Sequence, residues 1–478
     1  MDQTPFRILN QHFHTNVSHL KRFIRSIINI TMLFCFRKKG KALSILIVIM
    51  ISWLHPIYLI GQKQDSLLED ATLENVIQYG LKNQPLIQQS FIDQTITEKA
   101  IRSRLADWYP QINFVYNYQR NFQLPTSIIG GNPIRFGVNN VSATQFNFTQ
   151  NLFNRDALLA YKTSDEVKLY AQQSTAGKKI DLAVALTKAF YDVLATSQQI
   201  KVGEGDVVRL QRSLRDAVNQ YNAGITDKTD YKRATITLSN TKATLKSNRE
   251  LLNYKIEYLK SLMGYPVGGF LKISYDTLQM ENEIALDTLQ EVDYTARIEY
   301  KILSTQRELQ LANVHYNQWS FIPSLSAFAS LITNYQNNNF NELYERRYPN
   351  SYVGATLTVP VFQGGKRRAN IAQQQWGLKR IDWDITSLRN TVNAQYAQAL
   401  AMYKANLVTY QTIKENVELA KEVYDIIQLQ YKTGVKTYLE VITAETDLRT
   451  ARINYFNSLY QLLVSKVDVQ KALGQINY

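Results

Sequence analysis

Cysteine is almost absent from this chain: one thiol, Cys35, stands near the start of 478 residues. A lone cysteine builds no disulfide framework and no thiolate cluster. Histidine is nearly as scarce. His12, His14, His19 and His55 lie within residues 1–61, so only His315 remains beyond them. One histidine without a cysteine offers neither a zinc set nor a Cys-His pair. His315 sits in a helical stretch and reads as structural. No G-x-S-x-G, phosphate-binding loop or glycine-framed carboxylate pair occurs either. These absences point away from an enzyme, and no cofactor or metal is expected. Long hydrophobic runs are missing too. Mean hydropathy is −0.27, and the apolar run 42–54 is shorter than the roughly 20 residues of a spanning helix. A bundle of transmembrane helices is excluded.

That short run has another reading. Arg37-Lys38-Lys39-Gly40-Lys41 precedes it, and His55-Pro56 and Leu59-Ile60-Gly61 follow it. A basic region, an apolar region and a small residue in that order form a secretory signal. Residues 1–61 are therefore expected to be a signal peptide with a mis-set N-terminal extension, Met32 being one alternative start. Cys35 precedes the apolar run without small residues ahead of it, which argues against a lipid anchor. The segment holds eight Lys/Arg and one Asp, half of the formal net charge of +14. The remaining +7 is interspersed along helical stretches, as in Lys178-Lys179 with Asp181. That is a solvated face and not a nucleic-acid footprint.

Proline and glycine are also few, at 10 and 19, and their positions matter more than their number. Residues 154–220 contain no proline, and glycine only at 177, 203 and 205; residues 366–430 contain no proline and only Gly377. Each stretch predicts a helix of about 66 residues, or roughly 100 Å. Such a helix must pack along its length, since propensity alone would not hold it. Shorter helical stretches, 227–263 with 286–318 and 439–473 with 73–107, supply partners stacked end to end.

The long stretches belong to a repeat. Gln220-Tyr221-Asn222-Ala223-Gly224-Ile225 is answered by Gln430-Tyr431-Lys432-Thr433-Gly434-Val435, and Trp108-Tyr109-Pro110 by Phe321-Ile322-Pro323. A period of about 210 residues marks a duplicated domain half. The expected boundaries are 62–264 for the first half, 265–287 for an equatorial linker and 288–478 for the second, with tip turns near 224 and 434.

Each half also carries two alternating runs, near 111–120, 142–151, 323–332 and 351–360. Ile112, Phe114, Tyr116 and Tyr118 alternate with Gln111, Asn113, Asn117 and Gln119. Phe146 and Phe148, then Leu325 to Leu331, then Val353 to Leu357 repeat the pattern. Period two puts the two sets on opposite faces, and about ten residues match a tilted strand crossing a bilayer. Four strands cannot close a barrel, and lipid tolerates no open edge. Several chains must pool their strands: two give eight, three give twelve. The expected fold is thus mostly α with a membrane β-barrel shared between chains and continued by long helices. The competing reading is a periplasmic coiled-coil structural or adaptor-like protein without a barrel.

With these signals in order, the chain resembles the TolC-like outer-membrane efflux family from about Leu73 to Gly474. The most specific pieces are Tyr221 to Asp230, Tyr431 to Thr437, and Val359-Pro360-Val361-Phe362-Gln363-Gly364-Gly365. The resemblance implies a homotrimer in outer-membrane lipid, with a twelve-stranded barrel above a helical barrel. It implies a periplasmic adaptor and an inner-membrane transporter as partners, and export of drugs, metals or proteins without catalysis. It also implies a gate at the periplasmic tip, with Thr229, Asp230, Tyr431 and Lys436 as its members. Lys436 stands where arginine is expected, and lysine lacks the bidentate fork. Glu440 matches one carboxylate of a lumen constriction whose second position is Thr443. Gly224, Ile225, Gly434 and Val435 match the adaptor-docking tips.

Overall fold

The computed structural model describes residue 68, residues 70–274 and residues 277–476. The expected signal peptide, 1–61, lies outside them. The first half begins with α1 (Leu73–Asn83) and α2 (Pro85–Leu105). Pro85 at the first helical position and Gln84 as its cap break what the sequence reading took as one stretch, because proline has no N–H to continue a helix. The strands follow: β1 (Gln111–Arg120), the small hairpin of β2 (Thr126–Ile129) and β3 (Asn132–Arg135), and β4 (Asn140–Phe153).

Next come α3 (Arg155–Lys162), α4 (Ser164–Asn222) and α5 (Lys228–Met263). The single long helix expected from residue 154 is interrupted at Thr163. There the Thr163 hydroxyl donates to the Leu159 carbonyl at 2.9 Å and the Ser164 hydroxyl to the Tyr161 carbonyl at 3.1 Å. Adjacent hydroxyls that bond the backbone compete with the helical ladder.

The second half repeats the parts: α7 (Ile298–Gln318), β5 (Ser324–Asn337), β6 (Arg347–Thr358), α8 (Lys366–Lys432) and α9 (Tyr438–Leu473). α2 and α7 both have 21 residues, and α5 and α9 both have 36. α8 has 67, about 100 Å of rise. Among the described residues between the halves, only α6 (Thr277–Asn282) is helical for more than one turn. Four tyrosines pin this crossing segment. Tyr191 donates to Glu283 and Tyr455 to Glu281, while Tyr396 reaches the Gln290 carbonyl at 2.7 Å and Tyr403 the Ile284 carbonyl at 2.9 Å.

The main core lies at this level. Phe190, Leu186, Leu259, Met263, Leu459 and Leu462 are fully buried there together. α5 ends at Gly264 in the left-handed region (φ 67°), and a Cβ there would stand 2.7 Å from the Asn83 carbonyl oxygen. Only glycine meets both demands.

The four long strands form one antiparallel sheet in the order β1-β4-β5-β6. The register aligns the four alternating runs. Ile112, Phe148, Ala329 and Val353 stand in one row across the sheet, and Phe114, Phe146, Leu331 and Ser351 in the next. Rows of the opposite parity read Asn113, Asn147, Ser330 and Tyr352. One face is therefore apolar and the other mostly polar. On the polar face Gln145 donates to Ser330 at 3.2 Å and Ser330 to Asn147 at 2.9 Å. β4 and β5 join the two halves, and β1 and β6 are the edges.

Candidate functional site at the helical tips

Two hairpin tips end the long helices, α4 to α5 and α8 to α9, and they share one geometry. The Ile225 N–H donates to Gln220 O at 2.9 Å and Gly224 N–H to Tyr221 O at 3.0 Å. Val435 donates to Gln430 O at 2.9 Å and Gly434 to Tyr431 O at 3.0 Å. This paired closure of the last helical turn is the Schellman motif. It needs a left-handed residue, and Gly224 (φ 71°) and Gly434 (φ 80°) supply it with open space around them. The next side chains, Ile225 and Val435, are 73% and 71% exposed. The sequence thus sets two matching apolar points at the tips of the helical hairpins.

The following helices start differently. Thr437 and Glu440 form a capping box, in which the Thr437 N–H and hydroxyl both donate to the Glu440 carboxylate at 2.9 Å. The Lys436 ammonium donates to the other oxygen at 2.6 Å. The Lys436 contact first, then the Thr437 bonds, hold the Glu440 carboxyl down to about 2. At the first tip the Thr229 hydroxyl stabilises the Asp227 carboxylate and lowers its pKa. Lys436 therefore faces Glu440 and not Asp230, and among the described residues no ion pair joins Asp230 to Lys436. Asp230 lies instead near the phenols of Tyr431 and Tyr438, whose pKa values it raises after burial has done so.

Aromatic rings hold the two tips to each other. Tyr431 donates its hydroxyl to Gln220 across the repeat and packs at a 50° tilt against Tyr438, ring centres 5.6 Å apart. Tyr221 packs at a 50° tilt against Tyr231 on the first hairpin, ring centres 5.1 Å apart. Tyr438 is buried against Ala217 and Ala234, its hydroxyl 2.9 Å from the Ser213 hydroxyl. Burial pushes that phenol up to about 12. Sequence reasoning did not single out Tyr438. Its signal was the pairing of a large ring after the Thr437 cap with small residues, Ala217 and Ala234, on the other hairpin.

A second feature missed from the sequence lies above the tips. Asp206 and Arg209 on α4 meet Glu445 on α9; Asp206 and Glu445 are 1% and 4% exposed. Arg209 bonds Asp206, and its Nε stands 3.8 Å from Glu445 Oε1, beyond hydrogen-bond reach. Glu445 Oε1 and Asp206 Oδ2 have no hydrogen-bond partner. Burial raises both carboxyls, Glu445 to about 7.

The chain matches the outer membrane efflux protein family over residues 76–265 and 303–475. It belongs to that family. It is 18% identical to the outer membrane protein TolC of Escherichia coli (strain K12) over 422 residues, 86% of this chain and 84% of TolC. It is 21% identical to the alkaline protease secretion protein AprF of Pseudomonas aeruginosa over 328 residues, 66% of each chain. Among solved structures, the CmeC outer membrane channel of Campylobacter jejuni has the same fold. Its TM-score is 0.67 at 16% identity, with 84% of this chain and 85% of CmeC covered. The family's place is the outer membrane and its work is efflux and secretion transport.

Proposed function

We propose that three copies of this chain form a passive exit duct through the outer membrane, gated at its periplasmic tip. The observation that carries it is the sheet. Its register collects four alternating strands into one apolar and one polar face, as a barrel wall between lipid and a wet lumen requires. Among the described residues, its edges β1 and β6 have no partner on their outer sides. A head-to-tail contact of β6 on β1 of the next copy closes into a ring, and three copies pool twelve strands. The halves 62–264 and 288–478, joined by the linker 265–287, are the duplicated wall of this duct. The duct works with a periplasmic adaptor and an inner-membrane transporter, which supplies the energy. Ile225 and Val435, set out by Gly224 and Gly434, are the adaptor's apolar contacts.

The lock among Thr229, Asp230, Tyr431 and Lys436 then acts in two layers. Tyr431 works within a protomer, near Asp230 and bonded to Gln220. Asp230 reaches Lys436 only between protomers, in competition with Glu440. A Glu440 ring whose carboxylates are each held by Lys436 selects cations weakly. Fractionation and planar-bilayer conductance test this reading. A heat-modifiable trimer should be recovered from the outer-membrane fraction, with low resting conductance. Asp230→Ala and Lys436→Ala should raise that conductance; unchanged single-channel values in both place the lock elsewhere. A water-soluble monomer without detergent overturns the duct itself.

A further inference from the structure

Residues 111–153 and 324–358 contain six charged side chains: Arg120, Arg135, Glu342, Glu345, Arg346 and Arg347. All six lie at the ends of the strands remote from the long helices. Two of the arginines belong to the apolar face. Arg120 has the parity of Ile112, Phe114, Tyr116 and Tyr118 on β1. Arg347 stands in the row of Tyr118, Ser142 and Tyr335. Both are exposed, and one sits on each edge strand.

Beneath them the face changes from aliphatic and phenyl groups to phenols. Tyr116, Tyr118 and Tyr335 form the belt, and the β5–β6 loop adds two rings to it. Tyr344 packs 5.1 Å from Tyr335 with its hydroxyl 2.8 Å from that of Tyr116, and Phe340 packs 5.7 Å from Tyr118. Such belts mark the height of lipid headgroups. The distance agrees: the ten steps from Leu325 to Tyr335 rise about 34 Å along the strand, or about 26 Å at a barrel tilt near 40°.

The charge balance at this rim is positive. Glu342 accepts from the Asn337 amide at 3.4 Å and the Asn339 amide at 3.2 Å, and Glu345 is the other carboxylate. Among the described residues, none of the four arginines forms an ion pair.

We propose that Arg120 and Arg347 form a docking surface for the phosphates of outer-leaflet lipid headgroups. The guanidinium fork matches phosphate oxygens in pairs, and the phenols beneath offer the amphipathic boundary that an anchored lipid presents. A soluble phosphate has no reason to choose the lipid side of the sheet; a lipid phosphate is held there by its chains. In a closed ring the two arginine-bearing edges meet at every seam, so the bound lipid bridges neighbouring protomers. The inference rests on the barrel reading above.

Titration of the purified full-length trimer with lipid A, followed by native mass spectrometry, tests it. The wild type should retain lipid A against phosphatidylcholine. Arg120→Gln with Arg347→Gln should weaken binding tenfold or more, while Arg135→Gln, on the β2–β3 hairpin, leaves it unchanged. Arg120→Lys with Arg347→Lys, which keeps charge but not the fork, should fall between. Lipid A binding within twofold of wild type, in a double glutamine variant that remains a heat-modifiable trimer with wild-type conductance, overturns the docking surface and leaves the barrel standing. Displacement of lipid A by inorganic phosphate at equal phosphorus overturns it too, in favour of a free anion. A soluble monomer overturns both readings together.

Discussion

The long helices α4 and α8 occupy equivalent places in the repeat, yet α4 buries 16 of its 59 residues and α8 only 5 of its 67. Their partners explain the gap. α4 runs through the equatorial core, with Phe190, Leu186 and Val193 inside it, and packs on helices of both halves. α8 lies on α7 and α9 and leaves a face open. That face is not polar: Trp376, Trp383, Val408, Leu419, Val423, Ile426 and Leu429 are all about half exposed or more. An apolar stripe at this scale on one helix marks a surface awaiting a partner. Duplication thus produced one helix buried deeply within its own chain and one with an open apolar face.

The sharpest way to break that contrast is to damage each helix in turn. Phe190→Ala empties a fully buried site on α4 and should cost about 3–5 kcal/mol. The expected result is loss of protomer stability, read as a large drop in the thermal midpoint of helical circular dichroism. Val423→Asp with Ile426→Asp changes only exposed positions of α8. Helicity should stay near wild type while the heat-modifiable trimer disappears from gels. If the α8 variant melts like the α4 variant, the two helices do the same work and the contrast fails.

The tips offer the next comparison, since they share a turn but not a lock. Tyr438→Ala removes the ring that fills the space against Ala217 and Ala234, and should cost about 3–5 kcal/mol of local stability. Tyr438→Phe removes only the bond to Ser213 and should cost about 1 kcal/mol. Hydrogen exchange across residues 213–238 should speed up strongly in the first and slightly in the second. Equal effects would mean that the hydroxyl, and not the ring, joins the hairpins.

These differences also mark what could be read from the chain alone. The repeat, the four alternating strands and both glycine turns were legible, because each is a local pattern with a fixed period or a required φ. The break at Thr163 depends on two adjacent hydroxyls turning back onto the ladder, a weaker signal than proline. The break before Pro85 is as local a signal as the turns, since the proline itself ends one helix and starts the next. The Lys436–Glu440 pair stands at the plain spacing of i and i+4, a signal as local as the turn beside it. Asp206 and Glu445 could not have been joined in advance. They lie 239 positions apart in different halves, and only the packing of α4 on α9 brings them to one guanidinium.

That buried group gives the smallest and most specific prediction. Burial, opposed by Arg209 and Arg449, raises the Glu445 carboxyl to about 7 from an ordinary value near 4.5, and Asp206 shifts in the same direction. A carboxyl raised in the folded state binds a proton more tightly there than in the unfolded chain. Its contribution is then complete below about 4.5 and is lost as pH rises through about 7. The α4–α9 packing should therefore loosen on the alkaline side. Arg209, Arg449, Arg452, Asp425 and Tyr424 share its surroundings, so a neutral isostere isolates the carboxyl better than alanine. Glu445→Gln should flatten the melting temperature between pH 6 and pH 8.5, where the wild type should lose about 1–3 °C. The matched change Glu440→Gln should not act in this window, because Lys436 and Thr437 hold that carboxyl near 2 and its titration lies far below. A wild-type melting temperature as flat as that of Glu445→Gln from pH 6 to pH 8.5 would show that Arg209 already holds the buried carboxyl ionised.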